Sequence, residues 1–276
     1  MKKGVSMWAF ADNDPKVMFP KAKAYGFEGV ELCMDFAGPV RPDCTKEELD
    51  EIKALAQENG LELYSVASGV YWGNSLTADD ADERARTEQL VKSQVDIAAY
   101  LGCDTILILP GLVAGFDKNG PVVPYDVVYA RALDAVKRLA PYAEEKKVKL
   151  GLENVWNKFL LSPMEMRDFI DAVGSEYVGC YFDVGNVMQT GYPQHWIRLL
   201  GNRIAKVHFK DFNVDIGNIS GFCDLLEGDV NYPEVMTAFA EIGYDGWVTA
   251  EVFPDAADPE KVLQVNSAAM DRILAR

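Results

Sequence analysis

The sequence has few of the side chains that bind soft metals or form covalent cross-links. It contains only two histidines, and its five cysteines are scattered without a CxxC pair. An odd, dispersed set of cysteines disfavours a disulfide framework and a zinc–thiolate site, and it is typical of reduced thiols in a cytoplasm. No apolar run reaches the roughly 18 residues that cross a bilayer, and the N-terminus lacks the apolar core of a signal peptide. These absences predict a cytoplasmic protein without a membrane segment.

Basic side chains are also scarce. Against 43 aspartates and glutamates stand 27 lysines and arginines, which gives a formal net charge of −16. A field of that sign repels phosphate backbones and anionic lipid surfaces, so we expect neither nucleic acid nor membrane as a partner. A small phosphorylated substrate stays possible, because a single local cation can hold one phosphate group.

Apolar runs of strand length alternate with longer helical stretches along the whole chain. The predicted strands are Gly4–Trp8, Phe27–Leu32, Leu61–Ser68, Asp104–Leu109, Val148–Glu153, Val178–Asp183, Ile204–His208 and Trp247–Glu251. The predicted helices are Pro15–Tyr25, Thr45–Asn59, Ala81–Leu101, Tyr125–Lys146, Pro163–Val173, Gln194–Leu200, Tyr232–Ile242 and Pro259–Leu274. Eight alternations favour an α/β fold, a single (β/α)8 TIM barrel domain over residues 1–276. No Gly-x-Gly-x-x-Gly follows the first strand, which argues against a dinucleotide-binding sheet.

Metal-ligating side chains stand at the ends of predicted strands five to eight. These residues are Glu153, Asp183, His208 and Glu251. Each one alone could be a rim carboxylate, a turn residue or a core histidine. Together they would meet at the C-terminal rim of a barrel, where the functional groups of this fold lie. Three carboxylates and one imidazole suit one divalent cation, with Mn²⁺ preferred and Mg²⁺ or Co²⁺ possible, better than a zinc site of cysteine and histidine.

Five motifs, dense from Gly151 onward, carry a resemblance to a known family. They are Leu152-Glu153-Asn154, Phe182-Asp183-Val184-Gly185-Asn186, Val207-His208-Phe209-Lys210-Asp211, Glu227-Gly228-Asp229-Val230-Asn231-Tyr232 and Gly243-Tyr244-Asp245-Gly246-Trp247 followed by Glu251-Val252. The chain resembles the xylose isomerase-like TIM barrel family of sugar phosphate isomerases and epimerases. Within it, the chain is most similar to ketose 3-epimerases, including those for tagatose, psicose and L-ribulose or L-xylulose 5-phosphate. The resemblance implies that the four strand-end residues bind the metal, while Glu153 and Glu251 move a proton through an enediolate.

Further residues are candidates for substrate binding. The pairing of Asn186 with Lys210 resembles the pentulose-phosphate branch of the family more than the free-sugar branch. Lys210 falls on the same side of its strand as His208, so it is predicted to reach a substrate hydroxyl or phosphate, unless it is an exposed rim lysine. Asn186 could contact substrate or only stabilise the turn after Asp183. Trp8 and Trp156 could wall the sugar, although aromatic residues at such positions also serve plain packing.

Several functions remain compatible with these residues. The preferred prediction is a ketose or ketose-phosphate 3-epimerase, and a metal-dependent sugar isomerase or an inosose-type dehydratase is the alternative. A DNA-repair endonuclease of the same fold would need more histidines and a basic groove. A non-catalytic sugar-binding barrel would not need both Glu153 and Glu251. Related barrels often pair, so a homo-oligomer is possible.

Overall fold

Eight parallel strands close into a barrel in the structure, a computed structural model that describes residues 1–255 and 257–275. The strands in chain order are β1 Lys2–Ser6, β2 Gly29–Met34, β3 Glu62–Ser68, β4 Thr105–Ile108, β5 Lys149–Glu153, β6 Val178–Asp183, β7 Ile204–Phe209, β8 Asp211–Phe212, β9 Phe222–Cys223 and β10 Trp247–Ala250. Around the barrel the order is β1-β10-β7-β6-β5-β4-β3-β2, while β8 and β9 form a separate antiparallel ribbon. The predicted TIM barrel is therefore confirmed.

Eight helices follow the barrel strands and cover the outside of the sheet. They are α1 Pro15–Ala24, α2 Lys46–Glu58, α3 Ala81–Leu101, α4 Tyr125–Lys146, α5 Pro163–Val173, α6 Pro193–Leu200, α7 Tyr232–Ile242 and α8 Lys261–Leu274. Their ends follow from local chemistry. The Thr45 hydroxyl and the Glu48 carboxylate form a reciprocal capping box at α2. Ser162 caps α5, where Pro163 supplies the first helical residue.

A layer of polar side chains crosses the barrel interior just below the C-terminal rim. Because side chains alternate along a strand, Glu31 of β2, Ser65 of β3, Tyr181 of β6 and His208 of β7 all point inward and contact one another. Gly151 of β5 makes room for this layer, since a Cβ there would lie 2.8 Å from the Tyr181 ring. The barrel is thus a packed core that supports the rim above it.

The observed elements differ from the predicted ones mainly at their ends. The first strand stops at Ser6, and Trp8 lies in a short 3-10 turn over Met7–Ala9 instead of in the strand. The ribbon of β8 and β9 was not predicted, because two-residue strands carry no periodic pattern. In the described part of the chain, no helix combines the length and the apolarity that a membrane crossing requires.

Candidate metal centre

Four side chains from four adjacent barrel strands converge at the C-terminal rim. One ligand atom each of Glu153, Asp183, His208 and Glu251 lies within 4.8 Å of the others, and all four residues are buried. The strand register produces this meeting, because Asp183 of β6 pairs directly with His208 of β7. Glu153 ends β5, and Glu251 follows the last residue of β10. The structure therefore brings together all four residues that the sequence singled out as metal ligands.

The Asp183 carboxylate is held by the turn that follows its strand. Its Oδ1 accepts a hydrogen bond of 2.7 Å from the Asn186 backbone N–H. Asn154 clamps the strand end, since its side chain accepts from Asp183 N and donates to Asp183 O, both at 2.8 Å. The Asn186 amide also donates to Glu153 Oε1 at 3.3 Å. Asn186 thus both shapes the turn and orients a carboxylate of the cluster.

Glu31 is the buried group that sequence reasoning missed. Its Oε1 lies 2.9 Å from His208 Nε2, and its Oε2 accepts hydrogen bonds from Ser65 Oγ at 3.0 Å and from the Tyr181 hydroxyl. Burial alone would lower the pKa of His208, but the carboxylates of Glu31 and Glu251 outweigh burial and raise it well above its ordinary value, so the metal-free ring is a cation. When the Nδ1 proton leaves, the carboxyl acceptor keeps the other proton on Nε2, and the lone pair of Nδ1 faces the cluster. His208 Nδ1 lies 3.0 Å from Glu251 Oε2 and 4.0 Å from Asp183 Oδ2.

Lys210 is buried in the cluster and is not an exposed rim lysine. Only 7 % of the residue is exposed, and Nζ lies 2.7 Å from Glu251 Oε2 and 3.2 Å from Asp183 Oδ2. Burial alone would lower the pKa of Lys210, but the carboxylates of Asp183 and Glu251 outweigh burial and raise that pKa above its usual range. Lys210 therefore remains a cation that compensates part of the negative charge of the cluster.

The surrounding residues raise the pKa of Glu153 and lower the pKa of Glu251. Burial raises the pKa of Glu153 to about 8, and the charges of Glu251 and Asp183 act in the same direction. Burial raises the pKa of Asp183 to about 6, although Lys210 opposes the rise. Burial would raise the pKa of Glu251 as well, but Lys210 and His208 outweigh it and lower that pKa below its ordinary value. At neutral pH and without a metal, Glu153 holds a proton and Glu251 is ionised.

The donor atoms fit a divalent cation. Asp183 Oδ2, His208 Nδ1 and Glu251 Oε2 are buried, and among the described residues none of them has a partner with hydrogen-bond geometry. Buried polar atoms are normally hydrogen-bonded. Here two of the three atoms have the Lys210 ion pair but no hydrogen bond, and all three face one point, so each has a lone pair to offer a metal ion. Three carboxylates and an imidazole form the oxygen-rich set that Mn²⁺, Mg²⁺ or Co²⁺ accepts. The cluster could therefore hold one such ion.

A cavity of about 260 Å³ opens directly above the cluster. Four candidate substrate-binding residues, Trp8, Trp156, Asn186 and Lys210, line it together with Glu153 and Glu251. Its remaining lining consists of four aromatic residues, Trp72, Phe116, Phe222 and Phe253, and of Ser68, Gly69, Leu109, Val155 and Ile219. Sites for drug-sized molecules are typically roughly 300–1,000 Å³. This cavity is slightly smaller, which suits a ligand of monosaccharide size.

The Asp211 carboxylate explains the Glu-Gly-Asp motif further along the chain. Asp211 is fully buried, and its oxygens accept backbone hydrogen bonds from Phe212, Leu226 and Val230. Gly228 packs against it, since a Cβ there would lie 2.3 Å from Asp211 Oδ1. The motif therefore forms a loop around a buried carboxylate and brings no charged group of its own to the cluster.

Comparisons with known proteins agree with the barrel fold. The profile of the family described as xylose isomerase-like TIM barrel matches residues 19–273. An inosose dehydratase of Bacillus thuringiensis is 25% identical over 227 residues, which are 73% of this chain and 75% of that protein. A fructoselysine 3-epimerase of Shigella flexneri is 23% identical over 242 residues, 85% and 83% of the two chains. The structure of a D-psicose 3-epimerase with D-tagatose, from Clostridium cellulolyticum H10, has a TM-score of 0.84 at 21% identity and covers 100% of this chain and 99% of its own.

Proposed function

The chain belongs to the xylose isomerase-like TIM barrel family, and from this premise we propose that it is a metal-dependent 3-epimerase of ketoses or ketose phosphates. The single observation that carries the proposal is the cluster itself. Two buried glutamates, Glu153 and Glu251, meet an aspartate and a histidine below a cavity of monosaccharide size. The relatives named as a fructoselysine 3-epimerase and a D-psicose 3-epimerase support the same class of reaction.

Glu153, Asp183, His208 and Glu251 would hold one divalent cation, most suitably Mn²⁺. When bound, such an ion polarises the substrate carbonyl and stabilises the negative charge that develops on oxygen. Glu31 would keep His208 Nδ1 turned toward the ion, and the Asn186 N–H would keep Asp183 Oδ2 free for it.

Epimerisation needs a proton to leave one face of C3 and another to arrive at the opposite face. Glu153 on β5 and Glu251 after β10 approach the cavity from strands separated by β6 and β7. One carboxylate would remove the C3 proton, and the other carboxyl would return a proton to the planar enediolate. The Lys210 ammonium, 2.7 Å from Glu251 Oε2, would stabilise negative charge on a neighbouring substrate oxygen.

Deuterium exchange tests the proposal. Free ketohexoses and ketopentose 5-phosphates would be incubated with the Mn²⁺-loaded enzyme in D₂O and examined by ¹H NMR. We expect deuterium at C3 together with the inverted product. Deuterium at C1 with aldose formation would instead identify a 1,2-isomerase. No exchange with any ketose would contradict the proposal.

Dehydration is the second candidate, and Lys210 is the observation that favours it. Loss of water begins with the same proton abstraction next to a carbonyl, but a hydroxyl group then departs. A buried ammonium beside Glu251 could stabilise that departing oxygen. The relative named as an inosose dehydratase supports this reading. Loss of water from a cyclic keto-polyol, without C3 exchange in any ketose, would establish it.

Removal of the Lys210 charge is expected to change metal affinity and activity in opposite directions. The Lys210 ammonium pairs with Asp183 and Glu251, and it repels any cation held by them. A unit charge about 4 Å away is worth several kcal/mol near a protein site, so Lys210→Met should tighten Mn²⁺ binding by at least about tenfold. Turnover should fall in the same variant. Calorimetric titration and the NMR assay measure the two effects.

Lys158→Met is the matched control, because Lys158 is exposed and lies outside the cluster. It should change Mn²⁺ affinity far less than Lys210→Met does. Weaker Mn²⁺ binding in Lys210→Met would contradict the proposed placement of the ion.

Metal affinity should fall with decreasing pH. The folded, metal-free protein has a pKa of about 8 for Glu153 and about 6 for Asp183, both above the ordinary carboxyl range. Below these values a proton must leave before the ion can bind. Burial would lower the pKa of His208, but Glu31 and Glu251 raise it, so His208 must also release a proton. Apparent Mn²⁺ affinity should therefore drop at least about tenfold per pH unit below pH 8 and more steeply below pH 6. Calorimetry in two buffers of different ionisation enthalpy measures both the affinity and the released protons, and affinity that rises on acidification would contradict this linkage.

A further inference from the structure

The cluster has no spare positive charge even when a divalent ion is present, and this limits the negative charge that a substrate can carry. Glu153, Asp183 and Glu251 contribute three negative charges, and Lys210 contributes one positive charge. A divalent cation would bring this set to zero, and the buried Glu31 carboxylate behind the cluster histidine would leave the whole site negative. Lys210 is already paired at 2.7 Å and 3.2 Å with two of these carboxylates. Its ammonium can still donate a hydrogen bond to a substrate oxygen beside it, but two carboxylates already balance its charge, so it brings no spare positive charge for a substrate phosphate.

Two clefts flank the cavity, and in neither do positive side chains outnumber the carboxylates by more than one. The cleft on the β10 side, here called the acidic cleft, is lined by Asp224, Glu227, Asp255 and Lys261 in addition to Lys210 and Glu251. Carboxylates outnumber ammonium groups there. The cleft beside Trp156 is lined by neutral side chains apart from one exposed lysine, Lys158. No arginine from the described part of the chain lines the cavity or either cleft, although Arg is the side chain best suited to hold a phosphate by two bonds.

The walls of the cavity favour an uncharged ligand. Indole rings of Trp8, Trp72 and Trp156 and phenyl rings of Phe116, Phe222 and Phe253 surround the opening above the cluster. Aromatic walls with a few converging polar groups are typical of sites for neutral small molecules. The C–H faces of a sugar or cyclic polyol can pack on such rings while its hydroxyl groups reach the cluster. A phosphate would lose water against these rings without gaining a cation.

We propose that the substrate is an unphosphorylated, electrically neutral ketose or keto-polyol. Any neutral substituent that it bears extends along the Trp156 cleft, away from the acidic cleft. This inference rests on the proposed function for the position of the reacting carbonyl. The pairing of Asn186 with Lys210 in the sequence favoured a pentulose phosphate, and the proposed neutral substrate reverses that preference. The reason is that Lys210 is paired with carboxylates and does not face open solvent.

Tryptophan fluorescence of the full-length, Mg²⁺-loaded protein tests the proposal, since three of its five tryptophans line the cavity. The probes are D-fructose and D-tagatose, each compared with its own 6-phosphate. We expect each neutral sugar to bind at least tenfold more tightly than its phosphate. The difference in affinity between each sugar and its phosphate should decrease when NaCl is raised to about 0.5 M, because salt screens the repulsion between the phosphate and the carboxylates of the acidic cleft. Equal or tighter binding of the phosphates, or no quenching by either neutral sugar, would overturn the proposal.

A charge variant of the acidic cleft sharpens the test. In the double variant Glu227→Gln/Asp255→Asn the phosphates should bind several-fold more tightly, with D-fructose affinity unchanged. The control Glu58→Gln/Glu176→Gln removes the same charge from the opposite end of the barrel and should change neither affinity. If phosphate affinity does not rise in the first variant, the cleft charges do not select the substrate and the proposal fails. A neutral ketose that binds without C3 exchange would support this proposal and contradict the epimerase function.

Discussion

Glu153→Gln and Glu251→Gln are each expected to lower epimerisation by about 10³-fold or more, because each removes one of the two proton-transfer groups. The remaining carboxylate still reaches its own face of C3. Each variant should therefore exchange the C3 hydrogen of only one of the two epimeric ketoses, and the two variants should act on opposite epimers. Single-epimer incubations in D₂O, followed by ¹H NMR, measure this pattern.

Metal occupancy has to be controlled in this experiment, since both glutamates belong to the ligand cluster. The assays use saturating Mn²⁺, and electron paramagnetic resonance confirms that the ion is bound. Asp183→Asn serves as the control, because it disturbs the cluster without removing either proton-transfer group. It should depress exchange of both epimers alike. If Glu153→Gln and Glu251→Gln instead exchange the same epimer, a single base serves both directions and the two-glutamate mechanism is wrong.

Glu31→Gln is expected to weaken Mn²⁺ binding by about 10- to 100-fold, the usual effect of removing the carboxylate partner of a metal-binding histidine. Glutamine has nearly the same shape, so the packing with Ser65 and Tyr181 should be kept. The variant loses the negative charge that faces His208 Nε2 at 2.9 Å. Once saturated with Mn²⁺, it should recover most of its activity, which separates a positioning role from a catalytic one. Calorimetry and the NMR assay give the two quantities.

Glu62→Gln provides the matched control for Glu31→Gln. Glu62 lies near the start of β3 and pairs with Lys2 at the surface, with 60% of its side chain exposed. Its substitution makes the same chemical change away from the rim and should leave Mn²⁺ affinity unchanged. Mn²⁺ affinity in Glu31→Gln equal to that of the unmodified protein would show that Glu31 serves only the barrel core.

The sequence contained enough information to predict the barrel and the four residues of the cluster. The four strands that carry the cluster are short, mostly apolar runs, and each has a residue of different chemistry at or beside its C-terminal end, as in β6, where Phe182 precedes Asp183. Because parallel strands share one end, strand-end residues from distant parts of the chain must meet there. Thr45 and Ser162 precede helices α2 and α5, and the side chain of each accepts a hydrogen bond from a backbone N–H in the first turn. Such helix starts depend only on neighbouring residues, so a sequence can reveal them.

Contacts inside the barrel could not be predicted in the same way. Glu31 stands between Val30 and Leu32 in a fully buried strand, and a lone acid in such a run was the signal that sequence reasoning overlooked. Its partners lie 34, 150 and 177 residues away, so only the closed barrel identifies them. Lys210 was placed on the correct side of its strand. The direction of its ammonium, toward Glu251 instead of solvent, depends on the three-dimensional charge arrangement.

The central claim is that one divalent ion at the cluster drives proton exchange at C3. Metal-stripped protein would be titrated with Mn²⁺, and bound Mn²⁺ and C3 deuterium exchange of a ketose would be measured on the same samples. We predict that exchange is absent at the start, rises in proportion to bound Mn²⁺ and saturates at one ion per chain. Over the same range Asp183→Asn should bind Mn²⁺ much more weakly and should exchange correspondingly less. Full exchange in the stripped protein, or equal Mn²⁺ binding by Asp183→Asn, would contradict the account.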